Sequence, residues 1–490
     1  MLTSQDDIRP ALRIREVTLG DPFIAATQNK ISPLGDRTNS ITDRIYQKYA
    51  IENWSESKLR TYIDMLHAFG FNSVQLYDQW QSYVCAGWGN DPRDWPEKVD
   101  ALADYAHTKS MGTTLFIWGN AAFDHHNKTR HMHLCWNDPH ERKILEQHWD
   151  HQSRHATHFD RIVTHWADPG GCNRNGCTIE TAQHLHNQIL KRFRAKNHAI
   201  ESSFSLWMLH SREYGKWEGY EGPQSVLESG ILPHDVMIAV HSSPDDGCSS
   251  RYGGFEINEV TEIAAAGRKV GVWAWYLADN EIAPSFIVRT KALHDYFSNV
   301  PADMYELIER HSLDSTSHGL NMHNLYVAGK LMRDPYADAQ AVLREFIAGA
   351  LGRENVENVQ EVFFTIEALR KGFMGVPEGT VDAARRAHDL ARGVLIPKGF
   401  SPAFPMIISP EELAGELTAQ TEAITEFLVF REASADLERM TGQGASEARV
   451  NAAIANLPRV KTPSMWLTNL EYCAYLAGLD ELKKALRRQQ

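Results

Sequence analysis

Between residues 55 and 330, the chain alternates segments of helical hydrophobic periodicity with short apolar runs of strand length. Apolar residues recur at helical spacing from Leu59 to Phe69, and an apolar run follows at 72–80. A second helix and strand are predicted over 95–121, where a proline stands near the start of the helix and a glycine at its end. Repeated helix–strand units of this kind are typical of a parallel sheet covered by helices.

The same periodicity predicts eight strands in all. A helix should begin after Asp138, because Pro139 and Glu141 follow at the positions that favour a first turn and a capping box, and it leads into the fourth strand. Eight such units predict a (β/α)8 barrel, which commonly takes about 250 residues and grows with insertions. The strands are predicted in or near residues 11–20, 72–80, 113–121, 161–172, 200–210, 236–245, 270–281 and 318–326.

From about Leu331 onward the pattern changes to helices alone, with a Gly- and Pro-rich linker at 396–410. We therefore predict a (β/α)8 catalytic barrel over residues 1–330 and an α-helical accessory domain over 331–490. An open, doubly wound sheet is the alternative for the first domain. That fold usually carries a G-x-G-x-x-G turn after its first strand, and the sequence contains no such turn.

The charge and hydropathy of the chain disfavour nucleic acid and membranes as binding partners. Lys and Arg number 50 against 63 for Asp and Glu, and the formal charge of −13 disfavours nucleic acid. The first ten residues lack the apolar core of a signal peptide, and no run of about 18 apolar residues predicts a membrane span. We therefore expect a cytoplasmic protein without a membrane partner. Helical sequence such as 423–430 could bury a homodimer interface or serve as internal packing.

In (β/α)8 enzymes the active site is built from the residues at the C-terminal ends of the strands. The residues predicted there combine tryptophan and tyrosine with carboxylates, amides and imidazoles. Aromatic faces pack on the apolar side of a sugar ring, while polar groups bond its hydroxyls, so the set predicts a carbohydrate substrate. The predicted substrate-binding residues are Asp78, Trp80, Trp118, Asn120, His165, Trp166, Trp207, His210, His241, Asp245, Trp275, Tyr276, Asn321 and His323.

Cleavage of a glycosidic bond usually needs two carboxyl groups. Asp168 is the candidate general acid, because the preceding apolar strand would raise its pKa by desolvation. Its alternative role is that of a residue in an Asp-Pro-Gly turn. Glu281 is favoured as the second carboxylate over Asp279, which could instead cap a helix. Asp245 and Asp78 are further candidates for the second carboxylate.

Metal-binding patterns are weak in this sequence. Four histidines stand in residues 123–136, and His131-x-His133 has the alternation of a metal pair. The amidohydrolase type of barrel has such a pair on its first strand, whereas this one follows the third. The C-x4-C spacing of Cys172 and Cys177 is poor evidence for zinc, and the six cysteines form no disulfide framework. We therefore expect no metal and no cofactor.

Two segments resemble known glycoside hydrolases of the (β/α)8 type. Residues 55–78 resemble the first helix and second strand of β-hexosaminidase and α-glucuronidase barrels. Residues 324–352 are similar to the passage that joins barrel to helical domain in α-glucuronidase-like proteins, with Arg333 where tryptophan is usual and Leu351 where phenylalanine is. The adjacent acidic pair of substrate-assisted hexosaminidases is absent, since Asp168 stands between alanine and proline. The resemblance implies a glycosidase and leaves its sugar open.

The leading hypothesis is an exo-acting glycosidase that trims a small glycoside or oligosaccharide, with Asp168 as general acid and Glu281 or Asp279 as its partner. A metal-dependent barrel hydrolase would instead use the histidine-rich residues 125–133. A non-catalytic carbohydrate-binding protein would keep the aromatic residues and would not need Asp168.

Overall fold

A computed structural model describes most of the chain. The described residues are 12–19, 54–77, 95–124, 129–131, 133–166, 172, 176–206, 217–242, 257–277, 288–315, 321–370, 379–443 and 445–456.

Eight parallel strands close into a barrel, which confirms the predicted fold class. Around the barrel the order is β1-β10-β9-β8-β7-β6-β3-β2, and a two-stranded hairpin of β4 and β5 is inserted after β3. The ten strands are β1 (Ile14–Leu19), β2 (Ser73–Tyr77), β3 (Gly112–Trp118), β4 (Ala122–Asp124), β5 (Thr129–His131), β6 (Arg161–His165), β7 (Glu201–Ser205), β8 (Met237–Ser242), β9 (Val270–Leu277) and β10 (Ile308–Ser315).

The predicted eighth barrel strand is wrong. Residues 318–326 were expected to form it, but the strand that closes the barrel is β10, which pairs in parallel with both β1 and β9. Residues from Met322 onward begin a helix instead. The sequence of β10 alternates buried polar residues, Arg310 and Ser312, with buried His311 and Leu313, so it lacks the apolar run that predicts a buried strand.

Helices cover the outside of the barrel and make up the C-terminal part of the described chain. They are α1 (Glu56–Phe69), α2 (Trp95–Thr108), α3 (Pro139–Gln152), α4 (Ile179–Arg194), α5 (Pro223–Leu227), α6 (Ile257–Ala265), α7 (Thr290–Ser298), α8 (Ala302–Leu307), α9 (Met322–Arg333), α10 (Ala339–Leu351), α11 (Val356–Arg370), α12 (Thr380–Arg392), α13 (Pro410–Gly442) and α14 (Glu447–Ala455). Within the described residues, none of them combines the length and the apolar character needed to cross a bilayer.

Local signals fix the ends of these helices. The Asp138 carboxylate caps α3 as expected, since it accepts hydrogen bonds from the backbone N–H groups of His140 and Glu141 at 2.9 and 3.1 Å. Glu141 does more than its predicted capping role implies. Its carboxylate accepts a hydrogen bond from the backbone N–H of Cys135 at 2.5 Å, so it holds the loop that precedes α3.

The helices after the barrel share a hydrophobic core with those around it. The Phe69 ring on α1 contacts the rings of Tyr326, Phe346 and Phe404 at centroid distances of 5.0, 6.4 and 5.2 Å. A Cβ atom at Gly329 on α9 would lie 2.3 Å from the Phe69 carbonyl oxygen, so only glycine allows this close approach of α9 to α1. The C-terminal helices are therefore packed directly onto the barrel's first helix.

Two buried histidines should make the fold sensitive to acid. His186 on α4 lies 2.8 Å from the Thr164 hydroxyl, and His311 on β10 lies 2.9 Å from the Tyr296 hydroxyl. Burial lowers the pKa of each imidazole to about 3. Because the unfolded chain binds protons at these sites near pH 6.5 and the folded chain does not, their stabilising effect is complete above that pH and is lost as the pH falls toward 3.

We expect the free energy of unfolding to fall below pH 6.5 by about 1.4 kcal/mol per pH unit for each of these histidines. Urea denaturation at pH 4.5 to 7.5 measures this slope. The slope should decrease in His186→Gln and stay unchanged in His184→Gln, an exposed histidine on the same helix. Equal slopes in the two variants would show that the buried imidazole binds its proton in the folded state.

Candidate functional site at the C-terminal end of the barrel

Aromatic and imidazole rings from four barrel strands meet inside the barrel, toward the C-terminal ends of β3, β6 and β8 and near the middle of β9. Trp118 of β3 pairs in register with His165 of β6, and His241 of β8 pairs with Trp273 of β9. The His165 ring stacks on Phe116 at 4.3 Å and meets Trp273 at 4.8 Å, while His241 lies 5.3 Å from Trp273. We call these five residues the ring cluster. It brings together three of the predicted residues, Trp118, His165 and His241.

The ring cluster differs in exposure from one member to the next. Trp118 is partly exposed, His241 is 8% exposed, and the other three are almost completely buried. Phe116 was not singled out in the sequence, although it stands two residues before Trp118 and so on the same face of β3. This two-residue spacing from Trp118 is the sequence feature that could have identified Phe116. Trp118 and His241 are therefore the members that a ligand at the mouth can reach.

His165 is neutral at ordinary pH. Its burial lowers the pKa of the imidazole well below the usual value, and the charges of Arg310 and His241 lower it further. A neutral imidazole has one nitrogen that donates a hydrogen bond and one that accepts. His165 can therefore position a hydroxyl or a neighbouring side chain without adding a positive charge to the mouth.

A charged layer lies within the barrel, formed by residues in the earlier parts of its strands. The Oε1 atom of the Glu16 carboxylate on β1 accepts a hydrogen bond from Arg310 Nε at 2.9 Å and lies 2.8 Å from Arg310 Nη2 in the same ion pair. The second carboxylate oxygen accepts from the hydroxyls of Ser73 and Thr114, and Arg161 lies 3.9 Å away. We call Glu16, Arg310 and Arg161, with their hydroxyl partners, the charged layer.

Compensation within the charged layer keeps Glu16 ionised. Burial by itself would raise the pKa of this carboxyl, but the guanidinium groups of Arg310 and Arg161 and the two hydroxyl hydrogen bonds hold it below its usual value. Arg310 also donates to Gln75 at 2.8 Å and to Ser203 at 3.1 Å, so each of its three nitrogen atoms donates a hydrogen bond. The layer forms a polar floor beneath the ring cluster.

Trp166 and Asn120 occupy buried positions next to the ring cluster. Trp166 follows His165 and is completely buried, with its ring 5.3 Å from Phe204 and 5.5 Å from Trp217. A Cβ atom at Gly119 would lie 2.3 Å from the Trp166 ring, so the two residues fit together closely. Asn120 is buried as well, and its carbonyl accepts a hydrogen bond from the backbone of Leu134 at 2.9 Å. Trp166 therefore serves in packing behind the mouth.

Asn321 and His323 belong to the start of helix α9, not to the end of a barrel strand. The Asn321 side-chain oxygen Oδ1 accepts a hydrogen bond from the Asn324 side-chain amide at 2.8 Å. The His323 ring stacks on Phe363 of α11 at 4.6 Å and contacts Phe346 of α10 at 6.3 Å. Asn321 therefore bonds within the first turn of α9, and His323 packs between helices.

The carboxylates predicted to carry the chemistry lie outside the described residues, as do several of the other predicted site residues. The strands that precede them are described, and their C-terminal ends meet at one end of the barrel. Trp275 and Tyr276 lie on β9, but their side chains are not among those described. The predictions that lie outside the described residues are Asp168, Glu281, Asp279, Asp78, Trp80, Trp207, His210 and Asp245.

Among the residues that the structure describes, one group has the spacing of metal ligands. It consists of Cys135, Cys172 and Cys177, whose sulfur atoms all lie within 4.8 Å of one another. A hydrogen bond with Cys172 lowers the pKa of the Cys177 thiol. Of the histidine-rich residues 125–133, the imidazole of His133 alone is described, and this residue has a left-handed backbone with φ of 55°.

This chain resembles known proteins in structure and not in sequence. No known family profile matches the sequence, and no curated protein matches it. The structure is similar to a mutant of the O-GlcNAc hydrolase of Thermobaculum terrenum, with a TM-score of 0.47 and 10% identity over 86% of this chain and 91% of that one. It is also similar to the protein named CpGH84B, with a TM-score of 0.48 and 9% identity over 86% and 74% of the two chains. The (β/α)8 fold of this chain rests on its own closed ring of eight parallel strands.

Proposed function

We propose that the chain is a glycoside hydrolase whose substrate binds at the C-terminal end of the barrel. The observation that carries this proposal is the ring cluster, which places tryptophan and imidazole side chains from four strands together at that end. The partly exposed indole of Trp118 offers a face to the apolar side of a sugar, and the imidazole of His241 offers a hydrogen bond to one of its hydroxyls. The similarity to an O-GlcNAc hydrolase is consistent with this class of substrate.

The proposed chemistry uses Asp168 as general acid and Glu281 or Asp279 as the second carboxylate. Asp168 comes three residues after β6 and Asp279 two residues after β9, and three steps around the barrel separate these strands. Loops from such strands face each other across the mouth of a (β/α)8 barrel. One carboxyl group would protonate the leaving oxygen, while the other would attack the anomeric carbon or activate a water molecule. An exo-acting enzyme on a small glycoside is the form of this activity that we propose.

A panel of nitrophenyl glycosides, including uronides and N-acetylhexosaminides, tests the proposal directly. We expect hydrolysis of at least one substrate, at a rate that does not depend on His131 or His133. Activity that is abolished both by a chelator and by His131→Ala would favour a metal-dependent hydrolase that uses residues 125–133. Binding of a sugar without any hydrolysis would favour a carbohydrate-binding protein.

Trp118→Ala should weaken binding of the substrate that the panel identifies. Loss of one aromatic contact costs about 0.5–1.5 kcal/mol of binding free energy, in addition to the contribution of the buried apolar area. This cost corresponds to a roughly two- to tenfold rise in KM or in the dissociation constant of the product sugar. Calorimetric titration with the sugar measures this directly. Tyr105→Ala is the control, because Tyr105 is a partly exposed aromatic residue on the outer helix α2. Equal effects in the two variants would remove Trp118 from the proposed site.

A further inference from the structure

Three cysteines from two loops meet at the C-terminal end of the barrel. Cys135 lies between the β4–β5 hairpin and α3, and Cys172 and Cys177 lie between β6 and α4. All three are buried, with exposed fractions of 0%, 7% and 7%. We propose that Cys135, Cys172 and Cys177 bind a zinc ion through their sulfur atoms, and that this ion joins the two loops.

The distances between the sulfur atoms fit a shared metal ion. In tetrahedral zinc sites the metal lies about 2.3 Å from each thiolate sulfur, which places neighbouring sulfur atoms roughly 3.8 Å apart. The Cys135 and Cys177 sulfur atoms are 3.6 Å apart, and no pair in the group is separated by more than 4.8 Å. Small adjustments of the side chains would bring all three within bonding distance of one ion.

The backbone around Cys135 is already fixed. Its N–H donates to the Glu141 carboxylate at 2.5 Å, and its carbonyl accepts from the N–H of Asp138 at 3.2 Å. Both of these partners belong to the start of α3, a helix that packs on the barrel. Binding of an ion therefore costs little ordering of this residue.

Cys177 is held in a similar way. The backbone N–H of Asn137 donates a hydrogen bond to its sulfur, which links the two loops even without an ion. The next residue, Thr178, begins helix α4, and the N–H of Ile179 donates to the Glu218 carbonyl at 2.9 Å. The Cys177 sulfur is therefore held near Cys135 by contacts with both loops.

The donor set selects the class of ion. Three thiolates are soft ligands that favour zinc and copper(I) over magnesium and calcium, and zinc is the usual occupant of four-coordinate sites rich in cysteine. The cysteines supply three of the four donors, and a water molecule or another side chain completes the site. Each thiol loses its proton to solvent when it binds, so affinity falls as the pH is lowered.

The position of the group indicates what the ion does. Residues 166–178 connect β6 to α4, and both Cys172 and Cys177 belong to this connection. Asp168 belongs to it as well, so a zinc ion would hold the loop of the proposed general acid against the loop that follows β3. This role is structural. It stands independently of the proposed glycosidase activity, because metal content is measured without a substrate.

Metal analysis of the full chain, purified under reducing conditions, tests the proposal. We expect about one zinc ion per chain, and after its removal we expect cobalt(II) to bind with the intense near-ultraviolet sulfur-to-metal absorption of a thiolate site. Cys135→Ser and Cys177→Ser should lose the zinc and this absorption. Cys473→Ser, a change of the same kind elsewhere in the chain, should keep both.

Two results would overturn the proposal. One is wild-type protein that contains no zinc and shows no thiolate absorption with cobalt(II). The other is a disulfide between Cys135 and Cys177 in a peptide map of protein kept in its native state. Circular dichroism of each serine variant separates loss of the ion from loss of the fold, and the cobalt(II) measurement on the wild type does not depend on any variant.

Discussion

Asp168→Asn should lower kcat on the substrate of this chain by about 10²–10⁴-fold, the usual contribution of a general acid. Asparagine keeps the size of the side chain but cannot supply the proton that the leaving oxygen needs. The loss should be large for a glycoside with a poor leaving group and much smaller for a dinitrophenyl glycoside, whose leaving group departs without protonation. Steady-state kinetics on the two substrates measure the difference.

The matched control for this variant is Asp160→Asn. Asp160 stands just before β6, at the opposite end of the strand from Asp168, and its carboxylate accepts a hydrogen bond from the backbone N–H of Thr113 at 2.8 Å. This change should leave kcat unaltered. Equal losses on both leaving groups in Asp168→Asn would assign Asp168 the role of the second carboxylate. Unchanged activity would remove it from the mechanism.

Arg310→Met should be the most destabilising single change in the charged layer, with a cost of about 3–5 kcal/mol in the free energy of unfolding. The substitution leaves the Glu16 carboxylate completely buried without the guanidinium that it binds at 2.8 and 2.9 Å. Chemical denaturation at pH 7 measures the cost. Adding Glu16→Gln to this variant should recover part of the loss, because the buried carboxylate charge is then removed and only the Arg161 guanidinium remains charged in the layer.

The control for Arg310→Met is a second ion pair near the N-terminal ends of β1 and β10. Arg13 and Glu309 form an ion pair at 3.0 Å, but the Arg13 side chain is 68% exposed. Exposed pairs contribute about 0–1 kcal/mol, so Arg13→Met should have a small effect. If Arg310→Met cost no more than Arg13→Met, Glu16 would have to be protonated or solvated in the folded protein.

Periodicity identified the barrel because seven of its strands carry enough apolar residues to show their burial. The eighth did not, since Arg310 and Ser312 of β10 are buried among partners that come from distant parts of the chain. A polar residue inside a barrel is satisfied only by contacts formed on folding, and these contacts leave no local pattern. The segment at 318–326 was mistaken for a strand for the opposite reason, because its apolar residues Met322, Leu325 and Tyr326 are buried in a helix.

The candidate site divides in the same way, into residues that the local sequence predicted and residues that it did not. Trp118, His165 and His241 were found because they end apolar strands, and position relative to a strand is a local property. The approach of Cys135 to Cys177 was not predicted, because 42 residues separate them and the two loops meet only through the neighbouring positions of β3 and β6 in the barrel. A spacing of C-x4-C seen alone gave no reason to include a third sulfur.

The charged layer also has a consequence for how the strands find their alignment during folding. A strand that slides by two residues keeps the same faces inside and outside, so hydrophobic burial alone distinguishes the two alignments weakly. A slip of β1 in one direction would place Glu16 opposite Asp314 and about 7 Å farther along β10 from Arg310, which lies 294 positions away in the sequence. A slip in the other direction would keep Glu16 near Arg310 but would separate it from Ser73, which lies opposite it on β2 and donates a hydrogen bond to it. The two contacts together therefore favour the register in which the first and last strands close the barrel.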